Sequence, residues 1–383
     1  MVCEGFCCIF IEFDLATADN RLASHLPEGS TMLSSARDFL IKLLETPGPS
    51  GYEQPVQNVI QDYVSGFADR VDRDVHGNLV AVKNPDAPLR VMFAGHCDQI
   101  GMLISHVDDN GFLYAQTIGG WDPQQLIGQR MVVWTTNGPL PAVISRKPIH
   151  LLNDQERKQV VKLEDLWLDI GATSKQQALQ CVSIGDPVTL QLGFRELQNS
   201  LASAPGMDNA TGVWIVIEAL RRACEASPAC GVYAVSTVQE EIGLRGARTS
   251  AYAVDPHVAS AVDVTHATDC PTIDKRQQGE ISLGKGPVIF RGPNMNPVVV
   301  DRLTQSCQGE GIPYQPAAIG RATPNDTNTI QISRAGVATG LVSVPNRYMH
   351  SAVETISLEE IDRAADLLAA FVCNLPADAD FTP

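Results

Sequence analysis

Histidine and carboxylate side chains follow several apolar stretches of this sequence, at points where they could bind divalent cations. The candidates are His96, Asp208, Glu240, Glu241, Asp263 and His350. Imidazole nitrogens together with carboxylate oxygens suit zinc, cobalt or manganese. One carboxylate placed between two such cations gives the two-metal arrangement of many hydrolytic sites. The residue types are therefore compatible with a centre for two divalent metal ions.

Each of these side chains has a plainer interpretation when it is considered alone. Asp208, which precedes Asn209, could cap a helix, and Asp263 could cap a turn. Either histidine could be a satisfied core or surface residue, and two adjacent glutamates are often a solvated strand end. The metal interpretation depends on a shared location, because the carboxyl ends of strands in an open α/β sheet are where such folds place their ligands.

The adjacent acids Glu240 and Glu241 suggest a division of labour. The apolar run 232–238 before them predicts a strand, and neighbouring side chains along a strand point in opposite directions. One glutamate can then bind metal while the other faces a water molecule. A carboxylate that contacts the water without binding the metal can act as a general base.

Helices that alternate with strands would position these side chains. Amphipathic spacing within 39–44, 56–64 and 213–222 predicts helices. Further apolar runs predict strands that lead to candidate side chains: 90–95 before His96, 232–238 before Glu240, and 259–262 before Asp263. The run 340–344 precedes His350. This alternation predicts an α/β fold with a mostly parallel sheet between layers of helices.

Glycine and proline mark two early turns. The stretch 46–51, Thr-Pro-Gly-Pro-Ser-Gly, ends the first helix because neither proline nor glycine continues it. The stretch 76–78, His-Gly-Asn, predicts a hairpin turn between strands at 71–75 and 79–82.

The middle of the sequence has a different character. Residues 102–196 are rich in short alternating runs and in turn glycines and prolines, which predicts a small β-rich domain inserted into the α/β domain. The α/β domain would then comprise residues 32–101 and 197–383. Residues 1–31 show no clear periodicity and are interpreted as a disordered tail or an upstream start-codon artefact, since Met32 opens a clean helical pattern.

Composition restricts the partners and the compartment. The chain of 383 residues has a net charge of -16, which argues against nucleic acid or an anionic membrane surface. No stretch approaches the roughly 18 apolar residues of a membrane span. The ten cysteines are scattered, which favours reduced thiols in a cytoplasm. Cys3, Cys7 and Cys8 are better explained by an inert tail than by a metal site, because no second ligand cluster accompanies them.

The motifs around these residues resemble those of the cytoplasmic metallo-aminopeptidases. This family includes the tetrahedral, glutamyl and deblocking aminopeptidases, and some members were once labelled endoglucanases. The resemblance extends from about residue 32 to about residue 375 and rests on six motifs: Gly-His-Cys-Asp-Gln-Ile-Gly at 95–101, Ile-Gly-Gly-Trp-Asp at 118–122, Asp-Asn at 208–209, Gln-Glu-Glu-Ile-Gly-Leu-Arg-Gly-Ala at 239–247, Asp-Val-Thr at 263–265 and Arg-Tyr-Met-His-Ser at 347–351.

The resemblance implies a fold like that of zinc peptidases. It also implies an enzyme that removes N-terminal residues from peptides with two divalent metal ions per chain. Zinc or cobalt would be the metals, with manganese as an alternative. His96 and Asp263 would bind one ion, and Glu241 and His350 would bind the other. Asp208 would bridge the two ions.

The resemblance also implies roles outside the metal ligands. Glu240 would be the general base, and Asp98 would orient His96. Asp326 resembles a turn near the substrate site of the family. The insert at 102–196 would be a dimerisation domain, with dimers that assemble into a dodecamer around an inner chamber.

The sequence departs from the family pattern at three positions. Gly95 stands where the family usually has alanine, Gln99 where it has glutamate, and Ala210 where it often has arginine. None of these changes removes a proposed ligand or the proposed base, but they leave substrate preference open.

Two other functions remain as alternatives. A carbohydrate hydrolase would usually need two carboxyl groups that flank the bond and no metal, and the two candidate histidines argue against it. A non-catalytic assembly protein that kept the fold would be expected to lack a ligand or the base, and none is missing from the sequence.

Overall fold

The computed structural model describes residues 32–383 of the chain. The segment 1–31, where a disordered tail is predicted, lies outside the described residues together with Cys3, Cys7 and Cys8. Within the described part, no helix is long and apolar enough to cross a membrane.

The helices and strands follow one another along most of the described sequence. The α-helices are α1 Ser34–Glu45, α2 Gln54–Val64, α3 Lys175–Cys181, α4 Met207–Ala226, α5 Arg245–Val254, α6 Lys275–Gln278, α7 Pro297–Glu310, α8 Asp326–Ile330 and α9 Leu358–Cys373. The strands are β1 Arg70–Arg73, β2 Leu79–Lys83, β3 Arg90–His96, β4 Gly101–Val107, β5 Leu113–Ile118, β6 Arg130–Thr135, β7 Gly138–Ser145, β8 Trp167–Asp169, β9 Pro187–Leu190, β10 Arg195–Glu196, β11 Leu201–Ser203, β12 Gly231–Thr237, β13 Val258–His266, β14 Val288–Arg291, β15 Gln315–Ala318, β16 Ala338–Asn346 and β17 Thr355–Ser357.

The main sheet has eight strands in the order β1-β2-β12-β3-β13-β16-β14-β15. Its centre is parallel, because β12, β3, β13 and β16 all run in one direction. β2 is antiparallel to both of its neighbours, and β14 is antiparallel to β16. The α/β class is confirmed, and the sheet is mixed: four of its seven pairings are parallel, three at the centre and that of β14 with β15. The short connection between β1 and β2 explains one of the antiparallel pairings, since parallel neighbours need a long crossover.

The hairpin between β1 and β2 forms where the sequence predicts it. The Asp74 carboxylate accepts hydrogen bonds from the amides of Gly77 and Asn78, at 2.8 and 2.9 Å, which fixes the turn. Asn78 is fully buried in the structure and reaches toward the end of β12.

Helices cover both faces of the sheet. Alternate residues of β3 point to opposite sides, so that Val91 and Phe93 join a core with α1, α2, α4, α7 and α9. Met92 and Ala94 join a second core, to which α5 and α8 contribute Ala247, Ala251 and Ile330. A central strand that is apolar on both faces explains why the sequence shows a continuous apolar run here rather than an alternation.

The insert contains a closed six-stranded barrel in the order β4-β5-β8-β7-β6-β9. Its interior is a separate apolar core that includes Met102, Ile104, Val133, Ile144 and Leu168. The barrel begins at Gly101, immediately after the segment that contains His96. A small antiparallel sheet of β10, β11 and β17 lies at its other connection. The predicted role of this insert in pairing subunits stays a prediction.

Candidate metal centre

The candidate ligands meet at the carboxyl end of the parallel strands. His96 is the last residue of β3. Asp263 does not end its strand as predicted, since β13 continues to His266. The pairing of β13 with β3 stops at Ala261, and β13 continues only along β16. Asp263 therefore lies beyond the ladder that the two strands share, with Oδ1 at 3.8 Å from His96 Nε2.

Asp208 enters the site from the first turn of α4. The sequence suggests a helix cap at Asp208 and Asn209. The cap is made by Asn209, whose Oδ1 accepts a hydrogen bond from Gly212 N at 2.9 Å. Asn209 also donates to Val262 O at 2.8 Å, which ties the helix to β13 beside Asp263. Because Asn209 supplies the cap, the carboxylate of Asp208 is left for other partners.

Glu240 and Glu241 lie in a turn beyond β12, which ends at Thr237. The argument from strand alternation is therefore wrong for this pair. Gln239, just before them, has a φ of 56°, in the left-handed region that non-glycine residues occupy at a cost of roughly 1–3 kcal/mol. This residue turns the chain so that Glu240 faces His96 and Glu241 faces His350.

Two groups of ligand atoms result. The first consists of His96, Glu240 and Asp263, and the second consists of Asp208, Glu241 and His350; within each group the atoms lie within 4.8 Å of one another. Asp208 connects the groups, because Oδ1 is 3.2 Å from His96 Nε2 and Oδ2 is 3.3 Å from His350 Nε2. Two ligands of one tetrahedral zinc ion, each at about 2.1 Å from it, are about 3.4 Å apart. The distances fit two cations that share one carboxylate.

Both histidines present the same nitrogen to the site. His96 Nδ1 lies 3.0 Å from the carbonyl oxygen of Asp98, and His350 Nδ1 lies 2.8 Å from that of Gly120. A carbonyl oxygen can only accept, so Nδ1 carries the proton in each ring and donates it. Nε2 of both histidines then faces the carboxylates of the site, and it is the atom that a metal ion would bind in place of a proton.

The site concentrates carboxylates, and the basic side chains that face them are its two histidines. Among residues 32–383, no lysine or arginine forms an ion pair with the carboxylates that line it: Asp98, Asp208, Glu240, Glu241, Asp263, Asp326 and Glu354. Hydrogen bonds to Asp208 and Glu241 raise the pKa of His350 to about 11. Burial raises the pKa of Glu240 well above its ordinary value, against the opposing field of His96. The field in this centre strongly favours cations.

Asp208 differs from its neighbours, because its pKa is lowered although it is buried. Burial opposes ionisation, but hydrogen bonds from His350 and His96 outweigh it. Oε1 of Glu241 is buried and lies 3.3 Å from His350 Nε2. An ionised Asp208 and a buried Glu241 oxygen beside the ligand atom of His350 are compatible with a pair of cations.

Asp98 contacts the glutamate loop more than it contacts His96. Its carboxylate is fully buried and accepts the amides of Glu240 and Glu241 at 2.9 and 3.1 Å, and the hydroxyl of Ser50 at 2.6 Å. Its Oδ1 is 3.5 Å from His96 Nδ1, whereas its backbone carbonyl is 3.0 Å away. Asp98 therefore orients His96 through its main chain and the glutamates through its side chain.

Glu354 is a buried residue of the site that the sequence interpretation missed. One carboxylate oxygen accepts the amide of Asp208 at 2.9 Å, and the other accepts the amide of His350 at 2.7 Å. Burial and the nearby charge of Asp208 raise the pKa of Glu354 to about 8. His350 has a φ of 60°, which lies in the left-handed region. Glu354 therefore accepts a hydrogen bond from a residue whose backbone conformation is unfavourable for a side chain. An acid four residues after a candidate ligand was the only signal in the sequence.

The turn of the insert also reaches the site. Gly119 has a φ of 74°, and a Cβ at this position would lie 2.6 Å from Ile100 Cγ2 and 3.2 Å from Glu241 Oε2. Only glycine fits there, and the turn thereby brings the Gly120 carbonyl to His350.

The unusual Gly95 has a packing explanation. A Cβ at residue 95 would lie 2.6 Å from the backbone carbon of Gly212 in α4. Two glycines therefore face each other where the helix crosses β3. No comparable contact explains Gln99 or Ala210.

Asp326 lies at the end of β12 rather than among the ligands. Its Oδ2 accepts the Thr237 hydroxyl at 2.6 Å, and burial raises its pKa to about 7. Its other oxygen is buried and has no hydrogen bond with any described residue. Asp326 therefore adds a buried carboxyl group at the same end of the sheet, but it belongs to neither group of candidate metal ligands.

The fold and the site are those of a hydrolase of the aminopeptidase class. Residues 77–367 match the model of the M42 glutamyl aminopeptidases, and the chain belongs to this family. The family resemblance that the motifs indicate is confirmed.

Relatives and solved structures of the same kind match nearly the whole chain. The lysyl aminopeptidase of Pyrococcus furiosus is 35% identical over 351 residues, which are 90% of this chain and 99% of the relative. The structure of an aminopeptidase from Desulfurococcus kamchatkensis has a TM-score of 0.83 and 34% identity, over 90% of this chain and 96% of its own. The TET1 peptidase of Pyrococcus horikoshii, which can assemble into a tetrahedron or a large octahedral shell, has a TM-score of 0.79 and 32% identity, over 89% of this chain and 100% of its own.

Proposed function

We propose that this chain is a two-metal aminopeptidase whose cations share Asp208. The position of this carboxylate carries the proposal, since its two oxygens face different histidines at 3.2 and 3.3 Å. His96 and Asp263 would hold one cation, and Glu241 and His350 would hold the other. When bound, the cations polarise the scissile carbonyl and lower the pKa of water to about 7.

Glu240 is the proposed general base. Its Oε2 belongs to the first group of ligand atoms, 3.8 Å from His96 Nε2, whereas Glu241 belongs to the second. Glu240 would take a proton from the attacking water and return it to the leaving amine as the peptide bond breaks. Burial raises the pKa of Glu240, so its carboxylate holds a proton more tightly than that of an exposed glutamate.

The family of the chain supports a substrate with a free amino terminus, since its relatives include aminopeptidases. The preferred first residue is best found with a panel of amino-acid p-nitroanilides, each assayed with zinc, cobalt and manganese. Hydrolysis of none of them with any metal would contradict the proposed activity.

Chelation separates this proposal from the carbohydrate hydrolase alternative. Treatment with EDTA should abolish activity, and zinc or cobalt should restore it. No lysine or arginine among the described residues lies close enough to the ligand atoms to take the place of the metal ions. A glycosidase that uses two carboxyl groups needs no metal. Activity on a β-glucan that survives EDTA would favour the alternative, and absence of both activities would favour an assembly protein.

We also propose that the barrel pairs subunits into dimers, which assemble into a closed shell of about twelve copies. Apolar side chains on the insert support this role, since Ile149, Leu151 and Val160 are 64, 66 and 67% exposed. Light scattering should then give a mass many times the 41.3 kDa of the chain. Ile149→Glu should shift the mass downward, while a wild-type monomer at micromolar concentration would refute the assembly role.

A further inference from the structure

The loop that carries the two glutamates is fixed by side chains from distant parts of the sequence. Asn78 Oδ1 accepts the amide of Val238 at 3.1 Å, and Glu53 Oε1 accepts the amide of Gln239 at 3.2 Å. The next two amides along the chain donate to the carboxylate of Asp98. Four successive amides, 238–241, thus each have a side-chain acceptor.

We call Glu53, Asn78 and Asp98 the amide clamp. A strand normally ends where its amides lose their ladder partners, and the free amides then turn to water. Here the ladder of β12 ends at Thr237, and the amide clamp continues the pairing for four more residues. The backbone amides of the loop are thereby paired as they would be in a strand, although the loop is not a strand.

The proline-glycine turn at 46–51 belongs to this construction. Gly48 O accepts the amide of Gln99 at 3.0 Å, which joins the turn to the segment after His96. Ser50 donates to Asp98 at 2.6 Å, and the amide of Gly51 donates to Glu53 Oε1 at 2.8 Å. The turn therefore fixes two members of the amide clamp relative to one metal ligand.

Glu53 holds the residue that most needs support. Gln239 has a φ of 56°. This is the left-handed region, which glycine adopts more easily than a residue with a side chain. Glu53 is only 6% exposed, and no lysine or arginine in the described part of the chain pairs with it. A buried, unpaired carboxylate is costly to keep, and its contacts here are the amides of Gly51 and Gln239.

We infer that Glu53 is a positioning residue of the catalytic centre. By holding the amide of Gln239, it sets the direction in which the side chain of Glu240 leaves the loop. The inference rests on the proposed role of Glu240 as general base. The inference gives the turn at 46–51 and Glu53, which follows it, a role in catalysis, although none of these residues is a proposed metal ligand.

Three variants test the inference on the full chain. Glu53→Leu removes the acceptor but keeps a similar volume, while Glu53→Gln keeps a carbonyl acceptor. Glu360→Leu is the matched control, because Glu360 is also buried and accepts an amide, that of Gly286 at 2.9 Å, outside the metal centre. The readouts are kcat and KM on the best p-nitroanilide, metal content and melting temperature.

Glu53→Leu should lower kcat by about 10–100-fold, the usual effect of removing a partner that orients an active-site group. KM and metal content should stay close to wild type, because Glu240 is not the proposed ligand. Glu53→Gln should recover most of kcat, and Glu360→Leu should lower the melting temperature without changing kcat. Unchanged kcat in Glu53→Leu, or equal losses in the Leu and Gln variants, would overturn the inference.

Failure to fold does not remove the test. If Glu53→Leu is not recovered, Glu53→Asp replaces it, because aspartate keeps the buried charge and withdraws the oxygen from Gln239 by one methylene. The same fall in kcat is expected, and wild-type kcat would overturn the inference. A wild-type protein that hydrolyses no p-nitroanilide would instead contradict the proposed function itself.

Discussion

Replacing Glu240 by glutamine is the most direct test of how the centre works. The change keeps the size of the side chain and removes one negative charge and the proton acceptor. Glu240 borders His96 at 3.8 Å, while Asp208 and Asp263 also face that histidine. The first cation therefore keeps its ligands in the variant, if the assignment of Glu240 as base is right.

The size of the expected effect follows from the proton transfer that is lost. General-base catalysis contributes about 10²–10⁴-fold, which corresponds to about 3–5 kcal/mol of transition-state stabilisation. The backbone amide of residue 240 still donates to Asp98 in the variant. The side chain therefore keeps its position, and no further loss of turnover is expected. Turnover should fall within this range, with little change in KM.

The assay measures kcat, KM and metal content on the same preparation. Glu164→Gln is the control, since the Glu164 side chain lies on the insert and is 75% exposed, and it should match wild type. Loss of a cation from Glu240→Gln would show that Glu240 is a ligand, as the first metal group permits. A rate near that of wild type with both metals bound would also refute the assignment.

Three further predictions address the rest of the chain. Asp208→Ala should weaken both cations together, and retention of two metals per chain would exclude the bridge. Glu354→Ala should lower metal affinity by about 10–100-fold, because it frees the amides of Asp208 and His350; titration calorimetry with zinc measures this, and unchanged affinity would contradict it. Burial raises the pKa of Glu360 from 4.5 to about 7, so the stability it contributes is present below pH 4.5 and is lost as the pH rises through 7. Denaturant unfolding of Glu360→Gln and wild type should therefore diverge in favour of the variant from pH 5 to pH 8, by up to about 3 kcal/mol, and a constant difference would count against this sign.

Much of the candidate metal centre could be located from the sequence because its residues follow apolar runs. His96 and Asp263 stand on β3 and β13, whose two-sided burial produces runs that are easy to detect. The α/β class follows from the same runs. The directions of the outer strands do not, because β14 and β15 have four residues each and carry no signal that distinguishes parallel from antiparallel.

Other features depend on backbone contacts that leave little trace in the sequence. Glu354 acts on two amides, and any acid of the right reach could do so. The strand alternation that was expected for Glu240 and Glu241 fails because Gln239 is left-handed, and a glutamine gives no hint of that conformation. The closed barrel is likewise invisible in short alternating runs, since closure depends on which strands pair.

The hydrogen bond from His350 to the Gly120 carbonyl has a thermodynamic consequence. In the proposed two-metal site, it would make the position of the turn after β5, which belongs to the insert, part of the affinity of the second cation. Linkage is reciprocal, so any molecule that binds the barrel and displaces this turn would change cation affinity by the factor by which the cation changes that molecule's affinity. Metal supply and the occupancy of the barrel surface would then be coupled variables, and a titration of either one would report on the other.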